Sequence, residues 1–204
     1  MAEIKLIATD LDGTFLKGGH TPHPENIKAV RACQEAGIRV CACTGRNWAE
    51  CRKIVEEVGF DDFCAVNNGA AIVEVKTGEL RYRNRFDPEA IAGLVDVMLS
   101  YPDVKFGLTG LESTGVLRDH MEDWFESEPK ELLDELYHLT EYDTKEELVE
   151  ACKEDVEAST AVCRSWSILN RCVMPCAIIR IWKLCSLRTD IWKSALRTAQ
   201  KRRR

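Results

Sequence analysis

Apolar positions along the chain alternate between short continuous runs and three-and-four repeats, and that alternation outlines an α/β protein. Ile4, Leu6, Ile7 and Ala8 form a short run, the pattern of a central parallel strand buried on both faces. Ile27, Val30 and Cys33 follow at helical spacing, between a proline placed to open a helix (Pro24) and a glycine placed to close it (Gly37). Ile38–Cys43 reads as a second buried strand. Trp48, Cys51, Val55 and Val58 make the apolar stripe of a second helix ending at Gly59, which assigns Trp48 to the core. Phe63–Val66 is a third strand, and the succession of strand, helix and strand predicts parallel pairing. Ala71–Val75 and Leu80–Arg85 then flank Lys76–Glu79 as a hairpin. Asp87-Pro88-Glu89 starts a helix carrying Ile91, Leu94, Val95 and Met98, and Val104–Leu108 is a strand. The acidic stretch Asp119–Leu139 predicts a solvated helix, and Thr144 with Glu147 spells a capping box for a helix through Cys152.

Composition narrows the class. The chain has 204 residues, is 45% hydrophobic and has a mean hydropathy of −0.25, which suits one domain with an insertion or two small domains. No apolar run approaches the roughly 20 residues of a bilayer span. No charged-then-apolar leader precedes Asp10, so the cytoplasm is the expected compartment and a membrane is not an expected partner. Ten cysteines lack paired spacing, and Cys41 and Cys43 lie in a predicted strand; free thiols in a reducing compartment are expected. The net charge of −6 hides an asymmetry: residues 159–204 hold eleven basic residues against a single acid, Asp190.

Candidate chemistry gathers at strand ends. Asp10 and Asp12 stand two residues apart, so an extended backbone sends both carboxylates to one side, where ligands bind in an open α/β sheet. Two adjacent acids there call for a cation, and magnesium suits hard oxygen donors shared with a substrate phosphate. Gly13 lets the chain turn, and Thr14 offers the turn a hydroxyl. At the end of the second strand, Thr44, Gly45 and Arg46 supply a hydroxyl, a flexible link and a guanidinium, a plausible phosphate cradle; a helix N-cap is the other role open to Thr44. Asn67-Asn68-Gly69 follows the third strand, where Asn68 serves either as a polar site contact or as part of a plain turn. His20 and His23, flanked by glycine and proline, read as loop residues rather than metal ligands.

Asp10-Leu11-Asp12-Gly13-Thr14 after a first strand resembles the first motif of the haloacid dehalogenase superfamily. Thr44-Gly45-Arg46 and Asn68-Gly69 resemble its Cof-like branch. The resemblance implies an α/β fold with a Rossmann-like parallel core and an inserted α/β cap. It divides the chain into core (1–83), cap (84–158) and an atypical basic tail (159–204). By the same resemblance Asp10 is the nucleophile that forms an aspartyl-phosphate, and Asp12 is the general acid and base. Thr44, Gly45, Arg46 and Asn68 hold substrate and phosphate, and Asp10 and Asp12 hold Mg2+. The implied activity is magnesium-dependent hydrolysis of a small phosphorylated metabolite.

The tail departs from that family. A lysine motif and an acidic Gly-Asp loop should follow the cap, yet residues 159–204 contain no glycine, and nothing marks Lys183 or Lys193 as the missing lysine. The parallel core is therefore expected to be incomplete and turnover very weak or absent. The abrupt enrichment in Cys, Trp and Arg reads as an out-of-frame segment beginning near Ala158–Val162. The rival reading is a non-enzymatic binding protein or pseudoenzyme whose tail, with Trp182, Cys185, Ile191, Trp192 and Leu196 on one side, docks on nucleic acid or an anionic membrane. On the enzyme reading nucleic acid is not an expected partner. Cys163, Cys172, Cys176 and Cys185 lack the paired spacing of a zinc site.

Overall fold

A computed structural model describes residues 3–18, 20–101, 104–120, 137–163 and 179–181. Strand β1 (Leu6–Thr9) runs into a tight turn at Leu11–Phe15, where Gly13 at φ +73° lets the chain reverse. The short ribbon β2 (Leu16–Lys17) and β3 (Thr21–Pro22) follows. Helix α1 (Pro24–Glu35) begins at the expected proline, and His23 caps it by accepting the Glu25 N–H at 3.3 Å. Strand β4 (Arg39–Ala42) pairs in parallel with β1, Leu6 beside Arg39 and Thr9 beside Ala42. Helix α2 (Trp48–Val58) ends in a left-handed cap at Gly59. Strand β5 (Phe63–Val66) joins through a parallel bridge between Cys43 and Ala65, and β6 (Ala71–Glu74) and β7 (Leu80–Arg83) extend it as an antiparallel hairpin.

Val30 of α1 and Trp48, Cys51 and Val55 of α2 pack in one cluster with Val40, Ala42, Cys64 and Val66. Both helices therefore lie on the same face of the parallel strands. The expectation that β1 is buried on both faces is corrected by this arrangement. Its burial alternates, with Ile7 half-buried against the core while Leu6 is 54% exposed and Ile4 65%. Arg39, Cys43 and Phe63, which the register places on the same side as Leu6, are exposed too. Among the described residues no layer covers that face, so one half of the strand's apolar run meets solvent.

Beyond β7 a second apolar cluster forms from Ile91, Val95, Met98, Phe106, Leu108 and Leu148. Helices α3 (Pro88–Leu99) and α4 (Lys145–Cys152) contribute to it and pack on a sheet ordered β10-β9-β8-β11-β12. These strands are β8 (Val104–Thr109), β9 (Thr114–Leu117), β10 (Leu139–Tyr142), β11 (Ala158–Cys163) and β12 (Ile179–Ile181). The capping box of α4 forms as expected: the Thr144 hydroxyl accepts the Glu147 N–H and the Glu147 carboxylate accepts the Thr144 N–H. Strand β9 and strand β10 had no signal in the sequence, and β10 begins at the last residue of the expected acidic helix. The bulk of that helix, residues 121–136, lies outside the described residues. Strand β11 runs from the last expected cap residue into the first residues of the expected tail, pairing with β8 from Ala158 opposite Thr109 to Cys163 opposite Val104. Residues 164–178 and 182–204, which carry the remaining tail expectations, lie outside the described residues. No described helix is long and apolar enough to cross a membrane.

Candidate active site

The end of β1 sorts three consecutive side chains by direction. Asp10 (φ −76°, ψ 158°) and Asp12 (φ −75°, ψ 119°) are extended, and Leu11 between them is fully buried. Leu11 anchors the turn in the core, so the flanking carboxylates face away from it, as the two-residue period requires. Asp10 is exposed, and among the described residues no hydrogen bond reaches its carboxylate.

Asp12 stands in a different environment. Arg46 grips it with two hydrogen bonds, Nε to Oδ2 at 3.0 Å and Nη2 to Oδ1 at 2.7 Å. The arginine is buried, while Asp12 keeps access to water. Burial works against the guanidinium charge, but the hydrogen bonds and attraction of Asp12, with smaller contributions from Glu50 and Tyr137, outweigh it and raise the Arg46 pKa. The sequence assigned Arg46 to phosphate; its fork is turned to the neighbouring acid.

Thr44 is buried at the start of the same loop, and its Oγ1 accepts the Arg46 N–H at 3.1 Å. It does not cap α2. Asn47 does, its Oδ1 accepting the Glu50 N–H at 2.9 Å. Gly45 lies half-buried between Thr44 and Arg46. The loop after β5 is stitched to this one, with the Asn68 N–H donating to Thr44 O at 3.0 Å and the Asn67 N–H to Arg46 O at 2.8 Å. Asn68, the expected site residue, is exposed at φ +57°. Asn67 is buried, and nothing in the local pattern favours it over Asn68, because a turn motif does not reveal which amide points inward. The turn between β8 and β9 was also unforeseen: Leu111 packs on the core, and its carbonyl accepts the Ala49 N–H at 3.1 Å. A groove lined by Ile4, Lys5, Gly37 and Arg39 opens at the amino ends of β1 and β4, the opposite end from Asp10.

Comparison with known proteins agrees with the geometry. Residues 7–167 match the family model of the haloacid dehalogenase-like hydrolases, and the chain belongs to that family. It is 39% identical over 70 residues to the 5-amino-6-(5-phospho-D-ribitylamino)uracil phosphatase YcsE of Bacillus subtilis (strain 168), covering 34% of this chain and 28% of that protein. It is 27% identical over 140 residues to the phosphatase YbjI of Escherichia coli (strain K12), named for the same substrate, covering 68% of this chain and 49% of that one. The chain thus spans half or less of the length of these two relatives. A solved structure from Geobacillus kaustophilus HTA426 shares the fold with a TM-score of 0.61 at 19% identity, over 84% of this chain and 63% of that one.

Proposed function

We propose that the chain carries the machinery of a cytoplasmic, magnesium-dependent phosphatase acting on a small phosphorylated metabolite, with Asp10 as nucleophile. The observation that carries this reading is the unequal treatment of the two acids. Asp10 is open and unbonded, as a carboxylate that attacks phosphorus has to be, whereas Asp12 is held in one orientation by Arg46, as a group that passes a proton has to be. An Asp10 oxygen attacks the phosphorus in line and the ester P–O bond breaks; Asp12, which enters this step carrying a proton on an oxygen released by Arg46, protonates the departing oxygen. Asp12 then takes a proton from water, which attacks the aspartyl-phosphate and releases inorganic phosphate and free Asp10. Thr44 already accepts from Arg46, so its own proton is available to a phosphoryl oxygen. Arg46 acts on the reaction through Asp12, and Asn68 lies at the rim.

Magnesium fits these donors in the sparse manner usual for that ion, with one or two protein oxygens and the remainder from water and phosphate. The Asp10 carboxylate is open to it, while the Asp12 carboxylate is engaged by Arg46, so Asp12 would contribute its main-chain oxygen. The ion would supply charge neutralisation at the transferring oxygens. Among the described residues no group of three potential ligands forms. Since residues 159–204 also lack the expected lysine and acidic loop, turnover by residues 1–204 is very weak or absent. The relatives' activity on a phosphorylated metabolite supports the substrate class.

The test is hydrolysis of p-nitrophenyl phosphate at saturating magnesium by the full chain and by Asp10→Asn. A slow, magnesium-dependent rate that disappears in Asp10→Asn is expected. A rate that survives the substitution would overturn the nucleophile, and a fast Asp10-dependent rate would overturn the impairment.

A further inference from the structure

Asn67 has two grips that pull in opposite directions. Its main chain holds the Thr44–Arg46 loop through the 2.8 Å bond to Arg46 O, from a left-handed backbone at φ +49°, a region that asparagine enters more readily than most residues. Its side chain reaches the other way. Nδ2 donates to Gly110 O in the β8–β9 turn and to Glu157 Oε2 before β11, each at 3.4 Å. Both partners are acceptors, so the amide's orientation is fixed with its NH2 toward them. Its Oδ1 is left buried with no hydrogen-bond partner.

The far end of this contact is built to stay put. Glu157 is buried, its Oε1 bonded to Arg83 Nε, while Arg83 Nη2 bonds Asp155. The Glu157 N–H donates to Thr109 O at 3.0 Å, and a Cβ on Gly110 would stand 2.5 Å from Asp155 O. The β8–β9 turn and the start of β11 are therefore one packed unit, and Asn67 touches it at two points.

We infer that Asn67 is a positioning residue that couples the Thr44–Arg46 loop to the second unit, with Glu157 as its charged anchor. This rests on reading Thr44 and Arg46 as site residues. A shift of β11 changes the pull on Asn67, hence on Arg46, hence on the orientation of Asp12. Coupling of this kind is reciprocal, so a phosphate seated on Thr44 must in turn steady residues 155–158.

Hydrogen–deuterium exchange on the full chain tests this without relying on turnover. Asn67→Gly removes the side chain yet keeps the left-handed backbone accessible, and Glu157→Gln alters the anchor, which does not itself touch the loop. Exchange in peptides spanning residues 44–46 is expected to rise about tenfold in both variants, with the carboxyl-terminal half of α2 unchanged. Unchanged exchange at 44–46 in Glu157→Gln would overturn the coupling, and that arm stands even where Asn67→Gly fails to fold. With magnesium and inorganic phosphate, protection in the wild type is expected at 44–46 and at 155–158, and in Asn67→Gly at 44–46 alone. Protection spreading equally in both proteins would overturn the inference. No protection in either would overturn the phosphate-site reading and leave the Glu157→Gln result to decide the coupling.

Discussion

A buried carboxylate beside a half-buried guanidinium sets the local balance at Glu157. Burial pushes its pKa above the ordinary carboxylate range, and the Asp155 charge adds to this, while Arg83 pulls it back without cancelling the shift. Because the native state holds that proton more tightly than the unfolded chain, the protonated form favours folding. Its contribution is fully present below the pKa of an ordinary glutamate and is lost as pH rises through the raised value. Denaturant unfolding from pH 4 upward is therefore expected to show the wild type losing stability relative to Glu157→Gln as pH increases. A difference between the two that does not vary with pH would contradict the shift. The Arg46–Asp12 pair follows a different logic, since its two parallel bonds join a buried cation to a partly solvated anion. That pair fixes geometry, and its stabilising effect is secondary.

At the level of elements, three glycines predict three different outcomes for one substitution. Gly93 sits exposed inside α3 with no atom within 4 Å of an added Cβ, so Gly93→Ala should stabilise by about 0.5–1 kcal/mol. At Gly115 in β9 the same methyl would stand 2.6 Å from Cys152 Sγ and 2.9 Å from Leu148 Cδ1, so these tightly packed side chains of α4 must shift. Such overpacking costs about 1–3 kcal/mol. Gly110→Ala should cost at least as much, because the methyl meets a backbone oxygen that no rotamer change can move. Urea titration of the three variants checks the order, and a destabilised Gly93→Ala or a neutral Gly110→Ala would contradict it. The same scale shows which elements were readable. Helix α1 showed its opening proline, closing glycine and apolar period, α2 its apolar stripe and closing glycine, α3 its Asp-Pro start and apolar period, and α4 its capping box. Strand β9, whose four residues are all buried, and strand β10, four residues beside an acidic stretch, are too short to establish a period.

For the molecule as a whole, the consequence is a parallel sheet with helices on one face and Leu6, Cys43 and Phe63 exposed on the other. Parallel sheets are ordinarily covered on both sides, and an apolar face left open among the described residues favours association. Sedimentation velocity of residues 1–204 is expected to show concentration-dependent association or aggregation, reduced in a Leu6→Lys, Phe63→Lys double variant. A monodisperse monomer at all concentrations would contradict it. The sequence by itself determined the α/β order, the strand that ends in Asp10 and Asp12, the loop bearing Thr44, and the helix boundaries, because periodicity, capping and turn chemistry act within a few residues. Only the tertiary structure decided that Arg46 answers to Asp12, 34 residues away, and that Asn67 rather than Asn68 is the buried amide, meeting a carboxylate 90 residues on. Contacts at that separation depend on how whole elements pack, and neither partner's neighbours in the chain carry any trace of the other.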